Sequence, residues 1–130
     1  MSVSYEQAQK VIAAAAVKAD EMGMKMAIAV TDQEGHVVAL ARMGGRGTAG
    51  EVALGKAMVS AIYGAPSQAM AERFGQSIGV PLTLMHGGRL VFAQGAVPLK
   101  QGDEVVGAVG VSGSKPSDDE VVAQAGADAL

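Results

Sequence analysis

From Ser4 onward the chain places apolar residues three or four positions apart. Ala8, Val11, Ile12, Ala15, Ala19 and Met22 fall on one helical face, preceded by an S-x-x-Q capping box at Ser4 and Gln7 and followed by Gly23. The period then drops to two. Met26, Ile28 and Val30 alternate as a strand, Asp32 to Gly35 supplies a tight turn with glycine at the left-handed position, and His36 to Met43 returns as its partner. Thr48 and Glu51 form a second capping box, which predicts a helix from Glu51 to about Tyr63 that stops at Gly64-Ala65-Pro66. Ser67 is expected to cap a short helical segment ending near Phe74 and Gly75. Leu82 to Met85, Arg89 to Gln94 and Val105 to Val111 read as strands, separated by His86-Gly87-Gly88 and by Gly95 to Gly102. A third capping box, Ser117 and Glu120, opens a closing helix whose apolar face is Val121, Val122, Ala125 and Ala129.

The predicted order is α, ββ, αα, βββ, α. Hairpins in place of regular βαβ alternation imply an α+β fold, a mainly antiparallel sheet carrying helices. No internal repeat or linker interrupts it, so residues 1–130 form a single domain. A domain of this length buries roughly two thirds of the surface its unfolded chain exposes.

Composition narrows the chemistry. The chain has no cysteine, which excludes a disulfide framework, a thiolate metal site and a thiol nucleophile. The net charge is −3, with 10 basic and 13 acidic residues scattered along the chain, so no basic stripe invites nucleic acid. No window approaches the ~20 apolar residues of a membrane span, and the first residues lack the pattern of a signal peptide, so a cytoplasmic protein is expected. Hydrophobic residues make up 49% of the chain but aromatic ones only 3%. A core of Ala, Val, Leu, Ile and Met follows, and so much apolar surface in a short chain predicts a homo-oligomer larger than a dimer.

Gly44 to Ala57, GGRGTAGEVALGKA, imitates two nucleotide-binding signatures at once. Gly45 to Gly50 matches G-x-G-x-x-G, but the preceding strand is the second arm of a hairpin and no strand with an acidic end follows the helix. Ala57 occupies the Ser/Thr position of a P-loop, and Glu51 places its own carboxylate at the helix N-terminus. The expectation is a glycine turn feeding a helix.

Ile28 to Met43, Lys56-Ala57 with Gly64 to Ser67, Gly107 to Gly113 and Asp119 to Gly126 together resemble the GlcG/HbpS family. This is also called the haem-degrading domain family, and it includes the C-terminal domain of PduO. The resemblance spans nearly the whole chain. It implies a five-stranded, mainly antiparallel sheet flanked by helices, assembly into homo-oligomers, and ligands that differ between members: haem in some, a cobalamin-related role in another, and proteins encoded beside catabolic enzymes. The chain departs from the family pattern at Gly44, where Asp often follows Arg-Met, and at Gly95 to Leu99, which replaces a commoner Gly-Gly-x-Pro.

Two histidines are available for general-base chemistry or imidazole ligation. His36 follows the hairpin glycine and reads as a solvated strand-start residue. His86 sits beside Gly87, Gly88 and Arg89, where glycines give close backbone access and a cation stands near, so these four are candidate ligand-binding positions. Arg42 could clamp a carboxylate, with Lys56 adding a second positive charge. Glu120, beside Asp119 at the start of the last helix, is a candidate proton-transfer group as well as a capping residue. Gly110 within a valine strand marks a close approach by another backbone or a ligand, and Ser112 offers a hydroxyl nearby.

Two functions fit these residues. One is an oligomeric small-molecule-binding protein holding haem or a related tetrapyrrole, with His86 a metal ligand only if haem is bound. The other is a small cofactor-independent enzyme of carboxylate or aromatic catabolism, in which Arg42 and Lys56 hold an anionic substrate and His86 or Glu120 moves a proton.

Overall fold

The computed structural model describes residues 1–130. Its elements are α1 (Tyr5–Glu21), β1 (Ala27–Asp32), β2 (Val37–Arg42), α2 (Ala49–Tyr63), α3 (Ser67–Met85), β3 (Ala96–Gln101), β4 (Glu104–Ser112) and α4 (Pro116–Ala127). The strands form one antiparallel sheet in the order β2-β1-β4-β3. The α+β class is as expected; the strand count is four, not five.

The first half of the chain folds as its pattern indicates. Ser4 Oγ accepts from the Gln7 amide at 3.1 Å while Gln7 Oε1 accepts from the Ser4 amide at 2.9 Å, closing the capping box. In the hairpin, Asp32 Oδ1 accepts from the amides of Glu34 and His36, both at 2.9 Å, and Gly35 takes φ +89°.

Strand alternation sorts the core into two unlike layers. Ile28 and Val30 of β1 and Val109 and Val111 of β4 join Val11, Ala15 and Val122 in the main cluster, where α1 and α4 cover the sheet. The opposite face is almost bare of large side chains. Ala27 and Ala29 meet Ala49 and Ala53, and Ala108 meets Ala57 and Ala61, so α2 lies nearly backbone to backbone on the sheet. A Cβ at Gly110 would fall 2.2 Å from the Ala53 carbonyl oxygen. Gly110 is therefore spent on this helix–strand contact.

Several sequence expectations are corrected in the second half. Leu82–Met85 is the end of α3, not a strand, because the chain leaves helical geometry only at Gly75 (φ 57°, ψ −163°) and then resumes with Pro81 inside it. A four-residue apolar run suits either period. Arg89–Gln94 does not join the sheet; it crosses α2, with the Val91 amide donating to Gly55 O at 3.3 Å. The outer strand is instead Ala96–Gln101, within the stretch expected to be a connection. The Ala96 amide donates outward to Ser67 Oγ at 3.0 Å. Pro98, two residues on, shares that outward side, so its missing N–H leaves the ladder intact on an edge strand. The second and third capping boxes do not form: Thr48 makes no side-chain cap bond, and α4 starts earlier, with Pro116 in its first turn after Lys115.

Candidate functional site

α2 carries Lys56 to the sheet, where it is 3% exposed against Asp119 at 1%. Lys56 Nζ donates to Asp119 Oδ2 at 2.9 Å and to the Val111 carbonyl at 3.0 Å. The other oxygen, Asp119 Oδ1, accepts from the Ser114 amide at 3.0 Å. Burial pushes the Asp119 carboxyl above the usual carboxylate range, and the Lys56 ammonium offsets part of that rise. The pair thus ties α2 and α4 to the Val111–Ser114 stretch that leaves β4.

That stretch forms one wall of the largest cleft, of about 590 Å³. Ser112, Gly113 and Ser114 face Gly45, Arg46 and Thr48, with Lys25, Ala49 and Val52 completing the lining. The glycine-rich turn of the sequence therefore borders a cleft as well as leading into a helix. Ser112 is the only one of the sequence-predicted site residues in this lining. Arg46 lies in the G-x-G-x-x-G stretch read as a plain glycine turn, whereas Lys25 and Ser114 carried no local motif that would have revealed them.

His86 ends α3 as its C-cap, not as the tip of a hairpin. It is partly buried, and no hydrogen bond or ion pair engages its imidazole. Gly87 and Gly88 take φ +71° and +77°, turning the chain so that Arg89 Nε donates to the His86 carbonyl at 3.0 Å. Gly88 and Arg89 then line a groove of about 270 Å³ against α2, whose apolar walls are Val52, Leu54, Met58 and Val91.

The remaining candidates lie apart. Arg42, exposed at the end of β2, borders a shallow depression of about 340 Å³ with Leu40, Gly47, Gly50, Glu51 and Leu54. It does not share a cavity with Lys56. Glu120 accepts from Gln94 Nε2 at 3.3 Å and lines none of the three cavities. His36 is exposed, with Nδ1 3.5 Å from Asp32 Oδ2. No group of three or more His, Asp or Glu side chains converges as a metal site.

The fold is shared with solved proteins over almost its full length. Protein ORFY of Klebsiella pneumoniae superposes with a TM-score of 0.89 at 27% identity, the match covering 98% of this chain and 89% of that one. A double mutant of HbpS from Streptomyces reticuli gives 0.88 at 28% identity, covering 100% and 88%. PduOC, solved as a complex with haem, gives 0.88 at 19% identity, covering 100% and 96%, a likeness of fold alone. A comparison with curated proteins returned no match. Residues 3–128 match the family described as haem degrading protein HbpS-like. The chain therefore belongs to the HbpS-like family.

Proposed function

We propose that this protein is an oligomeric small-molecule-binding protein whose ligand is haem or a related tetrapyrrole. The observation that carries the reading is the groove between α2 and the Gly88–Val91 segment, which begins two residues after His86, whose imidazole lines none of the three cavities and has no hydrogen-bond or ion-pair partner. A tetrapyrrole presents an apolar face, anionic propionates and, in haem, an iron that accepts imidazole nitrogen. Val52, Leu54, Met58 and Val91 supply apolar wall and Arg89 supplies a cation, with Glu51 the one carboxylate in the lining; His86, next to this segment in the chain, is the candidate iron ligand. Membership of the HbpS-like family supports the same choice.

At about 270 Å³ the groove is smaller than the ~300–1,000 Å³ of closed ligand pockets, so it takes an edge of the macrocycle and leaves a face open. A second copy covers that face. Ile78, Val80, Leu84 and Met85, on the second half of α3 leading to His86, are 50%, 55%, 72% and 79% exposed. Such an exposed apolar run on the helix that leads to Gly88 and Arg89 suits a subunit interface. The few aromatic rings do not compete for the ligand: Tyr63, Phe74 and Phe92 pack on one another with centroids 5.2 to 6.2 Å apart.

The alternative, a carboxylate enzyme using Arg42 and Lys56 with His86 or Glu120, draws less support. Lys56 already gives its ammonium to Asp119 and Val111, and Arg42 opens onto a different surface. Titrating the protein with haem and following the Soret band tests the proposal: a saturable shift at stoichiometric haem is expected, and its absence overturns the reading.

A further inference from the structure

We infer that the 590 Å³ cleft beside Lys25 and Arg46 is a second ligand site, on the other side of Val52 from the groove at Gly88 and Arg89, that takes a small anion bearing a carboxylate or phosphate group. Its volume lies within the range of small-molecule pockets. Lys25 and Arg46 line it and no carboxylate does. Arg46 makes no ion pair, and Lys25 has only an exposed contact with Asp20 at 3.6 Å, which an anion in the cleft can replace. Thr48 and Ser112 add hydroxyls free of protein hydrogen bonds, whereas the Ser114 hydroxyl is turned to Asp118 at 3.2 Å.

The cleft is held open by packing that substitution would disturb. Gly45 (φ +81°) and Gly113 (φ +145°) press on the Lys25 backbone from two sides, and a Cβ on Gly113 would fall 3.1 Å from both Lys25 O and Met26 Cα. Behind Gly113, the buried Lys56–Asp119 pair grips the chain on either side, at Val111 O and at the Ser114 amide. Two charges buried for this purpose fix one loop geometry, which is a reason to keep an ion pair that burial itself disfavours. Lys56 and Asp119 are thus positioning residues for the wall, while Lys25 and Arg46 meet the ligand.

Amide NMR spectra recorded during titration with inorganic phosphate, and separately with succinate, test this and tell the two anion classes apart. The expected result is saturable shifts from at least one probe, confined to residues 25, 45–49 and 112–114. Arg46→Ala and Lys25→Ala should each weaken binding about tenfold, as loss of a charge-assisted hydrogen bond implies, while the exposed Lys10→Ala leaves it unchanged. These lining residues are exposed enough that the variants fold. Absence of saturable shifts with both probes at tens of millimolar, shifts centred elsewhere, or wild-type affinity in both variants would overturn the assignment.

Discussion

Lys56 and Asp119 are 63 residues apart in sequence, yet their side chains meet at 2.9 Å with almost no exposure. Removing one partner leaves the other as a buried charge without its counter-ion. Lys56→Met or Asp119→Leu alone should therefore cost about 3–5 kcal/mol, whereas the double variant should recover much of that loss. Urea unfolding of the four proteins measures the coupling. Additive losses would contradict it.

The same pair sets a pH dependence of definite sign. Because the folded-state pKa of Asp119 is raised above the ordinary 3.8, the folded protein binds this proton more tightly than the unfolded chain. Linkage then makes its contribution more favourable as pH falls through the raised folded value, and that gain is complete below the unfolded value. Compared at a series of pH values, wild type should gain stability relative to Asp119→Asn on acidification across this window. A loss of wild-type stability relative to Asp119→Asn on acidification would reverse the assignment.

Gly110→Ala should be among the most damaging small substitutions in the chain. Its methyl group would lie 2.2 Å from Ala53 O and 2.7 Å from the Ala57 amide nitrogen, both backbone atoms of a packed helix. Relieving the overlap means lifting α2 from β4, at about 3 kcal/mol or more. Thermal denaturation should show it as a large fall in Tm.

For the haem reading, the two histidines make an internal control. His86→Ala should shift the Soret band of the bound form and weaken binding, while His36→Ala, on the exposed hairpin and in none of the three cavities, should change neither. Equal spectra and affinity for wild type and the His86 variant would show that this imidazole is not on the iron.

Assembly is tested at the exposed end of α3. Light scattering should give a particle larger than a dimer of the 13.0 kDa chain, and Leu84→Glu combined with Met85→Glu should dissociate it by placing charge in the contact. A wild-type monomer at micromolar concentration would count against the interface.

Local pattern was enough to specify α1, the first hairpin, the end of α2 at Gly64 and the α+β class. There the signals act within a few residues: Ser4 and Gln7 close their own box, and Asp32 ties its own turn. The close approach at Gly110 was also legible, because a glycine inside a valine strand has few other physical reasons. The stretch from Gly75 to Gln101 was not, since its short apolar runs suit either period, whereas β4 and the closing helix lie where their patterns indicate. Whether Leu82–Met85 is helix and Ala96–Gln101 is strand depends on which surface each one covers, and Pro98 is tolerated only because its strand lies at the sheet edge.

The candidate sites divide in the same way. His86, Gly87, Gly88 and Arg89 were visible as one segment because they are neighbours in the chain. What tertiary structure decided is that α2 supplies the apolar wall opposite them, that Lys56 turns inward to Asp119 and away from Arg42, and that Lys25, Arg46 and Ser112 share a cleft. Each of these depends on the sheet bringing β1 beside β4 and on an alanine- and glycine-faced α2 settling close against both. Periodicity along a chain records which face of an element is apolar; only packing between distant elements records which polar groups then have to meet.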